Sequence, residues 1–339
     1  MRFVDRLVAA WHARHLTALT LSLTPAAILF GAVTALRRRC YRAGWLAVVE
    51  LPVPVLVVGN IGVGGTGKTP LVAGLARDLA ARGWHPGVVS RGYGRDPGAE
   101  PLLLSPDADA ERVGDEPLLL ARRGIPVAVG RDRVAAARAL VAAHPECDVV
   151  IADDGLQHYH LGRAAEVVVV DAARGFGNGW LLPAGPLREP RSRLAGVTAV
   201  VWNGPVQDTG AAPARDGFRM VLEPGAWRRV DGQEGELPAG AFAGRRAHAV
   251  AGIGNPARFF AQLREHGVDP IEHPFPDHHR FTAGDIAFGD ELPVLMTEKD
   301  AVKCGRFADR RCWYLPVEAR LPPSLVARIE EKLRGPQAA

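Results

Sequence analysis

Short apolar runs alternate with longer Ala- and Leu-rich stretches through the first two thirds of the chain. The runs at 53–58, 87–90, 126–129, 149–152 and 167–170 predict buried strands, and the stretch 71–81 between the first two predicts a helix. Strands alternating with helices point to a doubly wound α/β architecture around a parallel sheet. Near residue 203 the pattern loosens into Gly, Pro and Asp as far as residue 217, which sets the expected domain boundary. An α/β rhythm then resumes: a strand over 247–252, a helix over 256–266, a strand over 293–296 and a terminal helix over 323–333. The expected division is therefore an N-terminal helical segment (1–45), a larger domain (46–203) and a smaller α/β domain (204–339).

The N-terminal segment has a pattern of its own. From Leu16 to Leu36 run 21 residues without a charge, flanked by Arg2, Arg6 and Arg14 before and by Arg37, Arg38 and Arg39 after. As one helix the run would reach about 30 Å, the thickness of a bilayer core. Thr17, Thr20, Ser22, Thr24, Pro25 and Thr34 dilute it, and no small-residue cleavage site marks it as a removable signal. Three arrangements fit: a helix or helix pair in the membrane interface with its arginines on anionic headgroups, a spanning helix, or a helix packed on the protein's own core. The interfacial arrangement is the expected one.

Composition narrows the picture less. The 339 residues exceed a typical single core, and the formal charge is only +4 with Lys confined to positions 68, 299, 303 and 332. The basic excess is arginine spread along the chain, without an aromatic-interleaved cluster, so nucleic acid is not an expected partner. Cys40, Cys147, Cys304 and Cys312 are scattered and show no CxxC spacing, which fits reduced thiols and not a disulfide or zinc framework.

The chemistry enters at Gly62-x4-Gly67-Lys68-Thr69, between a predicted strand and a predicted helix. This is the P-loop pattern. Gly62, Gly64, Gly65, Thr66 and Gly67 let backbone N–H groups turn toward β- and γ-phosphates, Lys68 adds a point charge, and the Thr69 hydroxyl is a Mg2+ ligand. The run 149–152 ends in Asp153 and Asp154, where the partner carboxylate for Mg2+ belongs. Asp153-Asp154-Gly155 lacks the Asp-x-x-Gly spacing, and Thr297-Glu298-Lys299-Asp300 lacks the residue between Lys and Asp used in guanine recognition. ATP is the expected nucleotide.

The ordered blocks at 59–70, Ser90-Arg91-Gly92-Tyr93-Gly94, Val113-Gly114-Asp115-Glu116-Pro117, 153–158, Gly177-Asn178-Gly179 and 182–190 resemble those of the tetraacyldisaccharide 4'-kinase family. Later blocks at 251–256, 275–279 and 296–303 are similar in order and spacing, and Leu156 stands where the family often carries Phe. The resemblance implies transfer of the ATP γ-phosphoryl group to the 4'-hydroxyl of a membrane-embedded tetraacyl disaccharide 1-phosphate. That step of lipid A synthesis lies on the cytosolic face of the bacterial inner membrane, and no obligate protein partner is implied. Within it, Asp115 is the expected general base and His278 the residue that orients it across the domain cleft. On residue types alone, His273, Asp277, His278 and His279 also have the look of metal ligands.

Arg188 and Glu189, in a Pro-rich loop, are expected at the substrate, as are Arg91, Gln157 and His158; for each, a structural ion pair or hydrogen bond competes with that role. Two other functions use the same P-loop: a regulatory or metallochaperone-type ATPase, which needs no lipid-facing segment, and a nucleotide-gated membrane-binding module, which needs no Asp115.

Overall fold

The computed structural model describes residues 3–13, 15–92, 101–204, 217–277 and 279–335. His278, Tyr93 and Gly94 lie outside them. Two sheets organise the chain. The larger is built from β1 (Val55–Gly59), β2 (Pro86–Ser90), β3 (Leu102–Leu103), β4 (Val127–Val129), β5 (Val149–Asp153), β6 (Ala165–Asp171), β7 (Ala199–Asn203) and β8 (Gly217–Pro224), with a late strand added below. The smaller contains β9 (Trp227–Arg229), β10 (Glu236–Leu237), β11 (Arg246–Ala251), β12 (Asp269–Pro274), β13 (Val294–Thr297) and β14 (Cys312–Leu315); β15 (Val317–Arg320) returns to the larger sheet.

Strand order in the larger sheet is β15-β8-β7-β6-β1-β5-β2-β4-β3, parallel from β8 to β4 and antiparallel only at the two edges. Its strands read as apolar runs because both faces are covered. In β1, Leu56 and Val58 enter one core with helices Lys68–Ala80 and Pro323–Leu333, while Val55 and Val57 enter the other with helix Arg133–Ala143. The smaller sheet, β10-β9-β14-β13-β11-β12, is parallel from β14 to β12 and packs helix Pro256–Glu265 through Phe259, Phe260 and Leu263.

The sheets do not divide at residue 203. β8, β15 and helix Pro323–Leu333 all belong to the larger lobe, so the smaller sheet is an insertion spanning Trp227 to Leu315. Val317 pairs directly with Pro224, so the chain leaves and re-enters the larger lobe at neighbouring register positions. The Gly/Pro-rich stretch loosened the pattern ahead of β8, whose mixed exposure hides it as a strand.

The charge-free N-terminal run is likewise broken. Thr17 caps a short helix, Ala18–Ser22, with a reciprocal box through Thr20, and Pro25 in the first turn starts a second helix, Thr24–Arg42. Among the described residues no helix is long and apolar enough to cross a membrane. Trp11 Nε1 donates to the Pro183 carbonyl at 2.9 Å, and Gly31 lies close enough to Leu181 that an added Cβ would stand 2.8 Å from its Cδ1; both contacts hold the segment against the larger lobe.

Helix Pro323–Leu333 is tied down by Glu330, which accepts from Trp84 Nε1 at 3.1 Å and from Arg82 Nη1 at 2.6 Å. Burial opposes the charge, but these two donors win and hold the carboxyl below its usual range. A depressed carboxyl stabilises the fold above its ordinary pKa of 4.5 and stops doing so as pH falls through the folded value. We expect Glu330→Gln to lower thermal stability at pH 7 by roughly 1–3 kcal/mol. Melting curves at decreasing pH should show the deficit closing in the acid range, and a constant deficit down to pH 3 would refute the assignment.

Candidate functional site

The sequence places glycine where the β1 to helix turn demands it. Gly64 and Gly67 adopt φ +101° and +88°, and a Cβ on Gly67 would collide with the Asn203 side-chain amide. That amide donates to the Thr66 carbonyl at 3.0 Å, bracing the loop from the end of β7. Lys68 and Thr69 open the helix, so its free N–H groups and positive dipole end face the loop.

Asn60, only 1% exposed, is the hub of the loop. Its side chain donates to the Gly64 carbonyl at 3.4 Å and accepts from Lys68 Nζ at 3.4 Å and from Arg188. Its backbone carbonyl accepts from Arg188 at 3.1 Å and Gln157 at 3.4 Å. Arg188 also forks onto Asp154, at 3.0 and 3.2 Å, and Lys68 lies 3.6 Å from the same carboxylate. Asp154 adopts φ +50°, just past the end of β5, which turns its carboxylate toward these cations. Burial would raise its pKa, but Lys68 and Arg188 hold it down at about 2.

Asp153 is its opposite. It is 1% exposed, Oδ2 accepts from Ser90 Oγ at 3.3 Å, and Oδ1 has no hydrogen-bond partner. Burial, reinforced by the Glu116 charge, pushes its pKa up to about 7. A buried carboxylate oxygen lacking a donor is what a divalent cation satisfies, so Asp153, Asp154 and Thr69 fit Mg2+ in donor chemistry.

A second cluster lies between the lobes. Asp115 begins helix Asp115–Arg122 after Gly114, whose φ of +92° requires glycine. The carboxylate is buried, with Oδ1 accepting from the Glu116 N–H at 3.0 Å and Oδ2 lying 3.7 Å from Lys299 and 3.9 Å from Lys303. Lys299 also reaches Glu116 at 3.3 Å and Asp277 at 3.4 Å; despite burial, these acids raise its pKa and keep it charged. Asp300, fully buried, anchors its helix by accepting from Gly252 N at 2.9 Å and Thr297 Oγ1 at 2.6 Å.

The other expected residues divide. Glu189 is not displayed to a substrate: it is buried and accepts from Gln157 Nε2 at 2.8 Å and Tyr159 Oη at 2.7 Å, with Arg193 at 3.3 Å. With both carboxylate oxygens engaged, it holds Gln157 and Tyr159 in place. Burial and the charges of Arg133 and Arg163 push His158 down to about 4, leaving a neutral imidazole. Arg91 is exposed just past β2. His273, Asp277 and His279 point apart: His273 to His248 at 2.9 Å, Asp277 to Lys299, His279 to Asp285 at 3.3 Å.

Sequence reasoning missed Asn60, Ser90, Asn203 and the pairing of Lys299 and Lys303 with Asp115. Asn203 closes a strand whose other four residues, 199–202, are apolar like those of the predicted strands.

The family model for tetraacyldisaccharide-1-P 4'-kinase matches residues 19–334. The tetraacyldisaccharide 4'-kinase of Alkalilimnicola ehrlichii is 56% identical over 313 residues, 92% of either chain. That of Azoarcus sp. is 54% identical, covering 96% of this chain and 94% of its own. A crystal structure of LpxK from Aquifex aeolicus in complex with ATP aligns with a TM-score of 0.78 at 28% identity, over 93% of this chain and 99% of that one.

Gly67→Ala tests the loop geometry. A left-handed non-glycine backbone costs about 1–2 kcal/mol per residue, before the collision with Asn203. ATP affinity measured by calorimetric titration should fall at least about tenfold; unchanged affinity would mean that the P-loop tolerates a rearrangement this structure excludes.

Proposed function

The chain belongs to the tetraacyldisaccharide-1-P 4'-kinase family, a kinase family of lipid A biosynthesis, and from that premise we propose how its own residues carry out the transfer. The acceptor is the 4'-hydroxyl of tetraacyl disaccharide 1-phosphate and the donor is ATP. The observation that carries the reading is that two carboxylates in opposite electrostatic states, Asp153 and Asp154, end the strand beside the P-loop, while a third, Asp115, faces the cleft.

Lys68 and the N–H groups of 62–69 bind the β- and γ-phosphates. Arg188 and Lys68 keep Asp154 ionised, and with Asp153 and Thr69 it would hold Mg2+. Mg2+, when bound, neutralises charge on the transferring phosphoryl group. Asp115 accepts the proton of the 4'-hydroxyl as the new O–P bond forms and the bond to the β-phosphate breaks. Lys299 and Lys303 flank this base at 3.7 and 3.9 Å from Oδ2, and it stands at the positive end of its helix. His278, outside the described residues, keeps the orienting role toward Asp115 that the family resemblance implies. Arg91, Gln157 and His158 are the further residues assigned to the acceptor, with Glu189 fixing Gln157 in place.

An acceptor held in a bilayer by its acyl chains has to be met at the headgroup level. Leu21, Ile28, Leu29, Val33 and Leu36 are exposed on the two N-terminal helices, Leu29 at 66%, and Trp45 follows at 75%. Arg37, Arg38, Arg39 and Arg42 end the longer helix, each worth about 1 kcal/mol against an anionic leaflet. This apolar face with a basic end seats the protein on the cytosolic surface of the inner membrane.

The decisive measurement is transfer of 32P from ATP to the detergent-solubilised acceptor with Mg2+. Folded protein that makes no phosphorylated lipid would sink the reading. Asp115→Ala is expected to lower transfer at least about 10²-fold while ATP still binds, and near-normal turnover would remove Asp115 as the base. Joint replacement of the exposed Ile28, Leu29 and Val33 by Glu should abolish sedimentation with anionic vesicles without unfolding the protein. Vesicle binding unchanged by this triple change would place the membrane contact elsewhere.

A further inference from the structure

Lys68 and Arg188, the cations nearest the P-loop on its β5 side, both face Asp154, so part of their charge is already compensated. The β6 side is different. β6 flanks β1 opposite β5, and it ends in Asp171, followed by a turn whose shape is set by Asp171 itself. Asp171 Oδ1 accepts from Ala173 N at 2.9 Å and Arg174 N at 3.1 Å, and its carbonyl accepts from Gly175 N at 2.8 Å. Phe176, next in the turn, is buried edge-on against Trp202. Arg174 is thus mounted on a rigid turn.

Its guanidinium lies over the tip of the P-loop. Nη1 is 3.3 Å from where a Cβ on Gly64 would stand. Nη2 donates to the carbonyl of Gly254, in the smaller lobe, at 3.5 Å. Gly254 itself sits close to the loop, its added Cβ falling 3.9 Å from Gly65 N. Arg174 forms no ion pair with a carboxylate among the described residues, since the only pairing of Asp171 there is with Arg258 at 4.0 Å. His12, beside it, brings no compensating negative charge: burial and the Arg174 guanidinium lower its pKa and favour the neutral ring. An uncompensated guanidinium over the third residue of a phosphate-binding loop is where negative charge on a γ-phosphoryl group is best met, by two N–H donors at once.

We propose that Arg174 is a further catalytic residue, a cis-acting arginine whose guanidinium contacts the γ-phosphoryl oxygens during transfer, brought to bear by Gly254 as the lobes close. The inference rests on the kinase reading above. In the step, the 4'-oxygen to phosphorus bond forms as the bond to the β-phosphate oxygen breaks, ADP leaves, and the hydroxyl proton passes to Asp115; Arg174 transfers no proton and stabilises charge alone. Arginines acting in this way contribute on the order of 10³- to 10⁵-fold to turnover in phosphoryl transfer.

Arg174→Ala and Arg174→Lys decide the matter with three readouts. For the Ala variant we expect kcat to fall about 10³-fold, the Kd for ATP to change by no more than a few-fold, and added guanidinium to restore part of the rate. The same variant should lose most of its affinity for ADP with aluminium fluoride and Mg2+, a mimic of the phosphoryl group in flight, while keeping its affinity for ADP. The Lys variant should fall between. A normal kcat, or a loss confined to KM for the lipid, overturns the proposal, the latter moving Arg174 to the acceptor's own phosphate. If wild-type protein transferred nothing to lipid, the kinase reading would fail, and the ADP–aluminium fluoride titration would still decide whether Arg174 meets the transferring group.

Discussion

Three carboxylates have to sit within reach of a polyphosphate without repelling it, and the folded chain meets this demand by pairing two of them with separate sets of cations and burying the third. Asp154 is held by Lys68 and Arg188, Asp115 by Lys299 and Lys303, and Asp153 is left short of a partner in a buried position. The rest of the site follows from these pairings. Asn60 has to be buried so that it can tie Lys68 and Arg188 to one point, and the turn after β5 has to enter the left-handed region so that Asp154 reaches them. Opposite charges at such short range are favourable only where geometry is fixed, and the four cations stand on helices or on a braced loop and are largely shielded from solvent.

Between the lobes the same physics acts across a cleft. Lys299 belongs to the smaller lobe, yet two of its three acidic neighbours, Asp115 and Glu116, belong to the larger. Arg123 and Glu298 add a second bridge, at 2.6 Å, in the reverse sense of charge. Lobe approach and the surroundings of the base are therefore linked: moving the smaller lobe away removes Lys299 and Lys303 from beside the Asp115 carboxylate.

Much of this was legible in the sequence, for stated reasons. The P-loop is a contiguous local motif, and strands buried on both faces are apolar throughout, so 53–58, 149–152 and 167–170 marked β1, β5 and β6 within a residue or two. What escaped was non-local. Nothing along the chain links Asn203 to Thr66 or Lys299 to Asp115, because those contacts exist only once β7 lies two strands from β1 and the smaller lobe docks. For Glu189 the sequence left a substrate contact and a structural ion pair open, since its partners Tyr159, Gln157 and Arg193 come together only in the fold. The N-terminal run is long enough to span a bilayer as one helix, but it folds as two, with Thr17 capping the first and Pro25 in the first turn of the second, which agrees with the helix pair among the arrangements the sequence left open.

The direct pairing of Val317 with Pro224 has a consequence for how the two lobes are joined. The smaller lobe hangs from two adjacent antiparallel strands whose ends are about one strand spacing apart, about 5 Å. A body tethered by two neighbouring points pivots most easily about the line through them, so its freedom approaches that of a door leaf and not of a ball on a string. It also means that β8 and β15 form a hairpin stem at the edge of the large sheet, with the whole smaller lobe standing where a turn would otherwise close it.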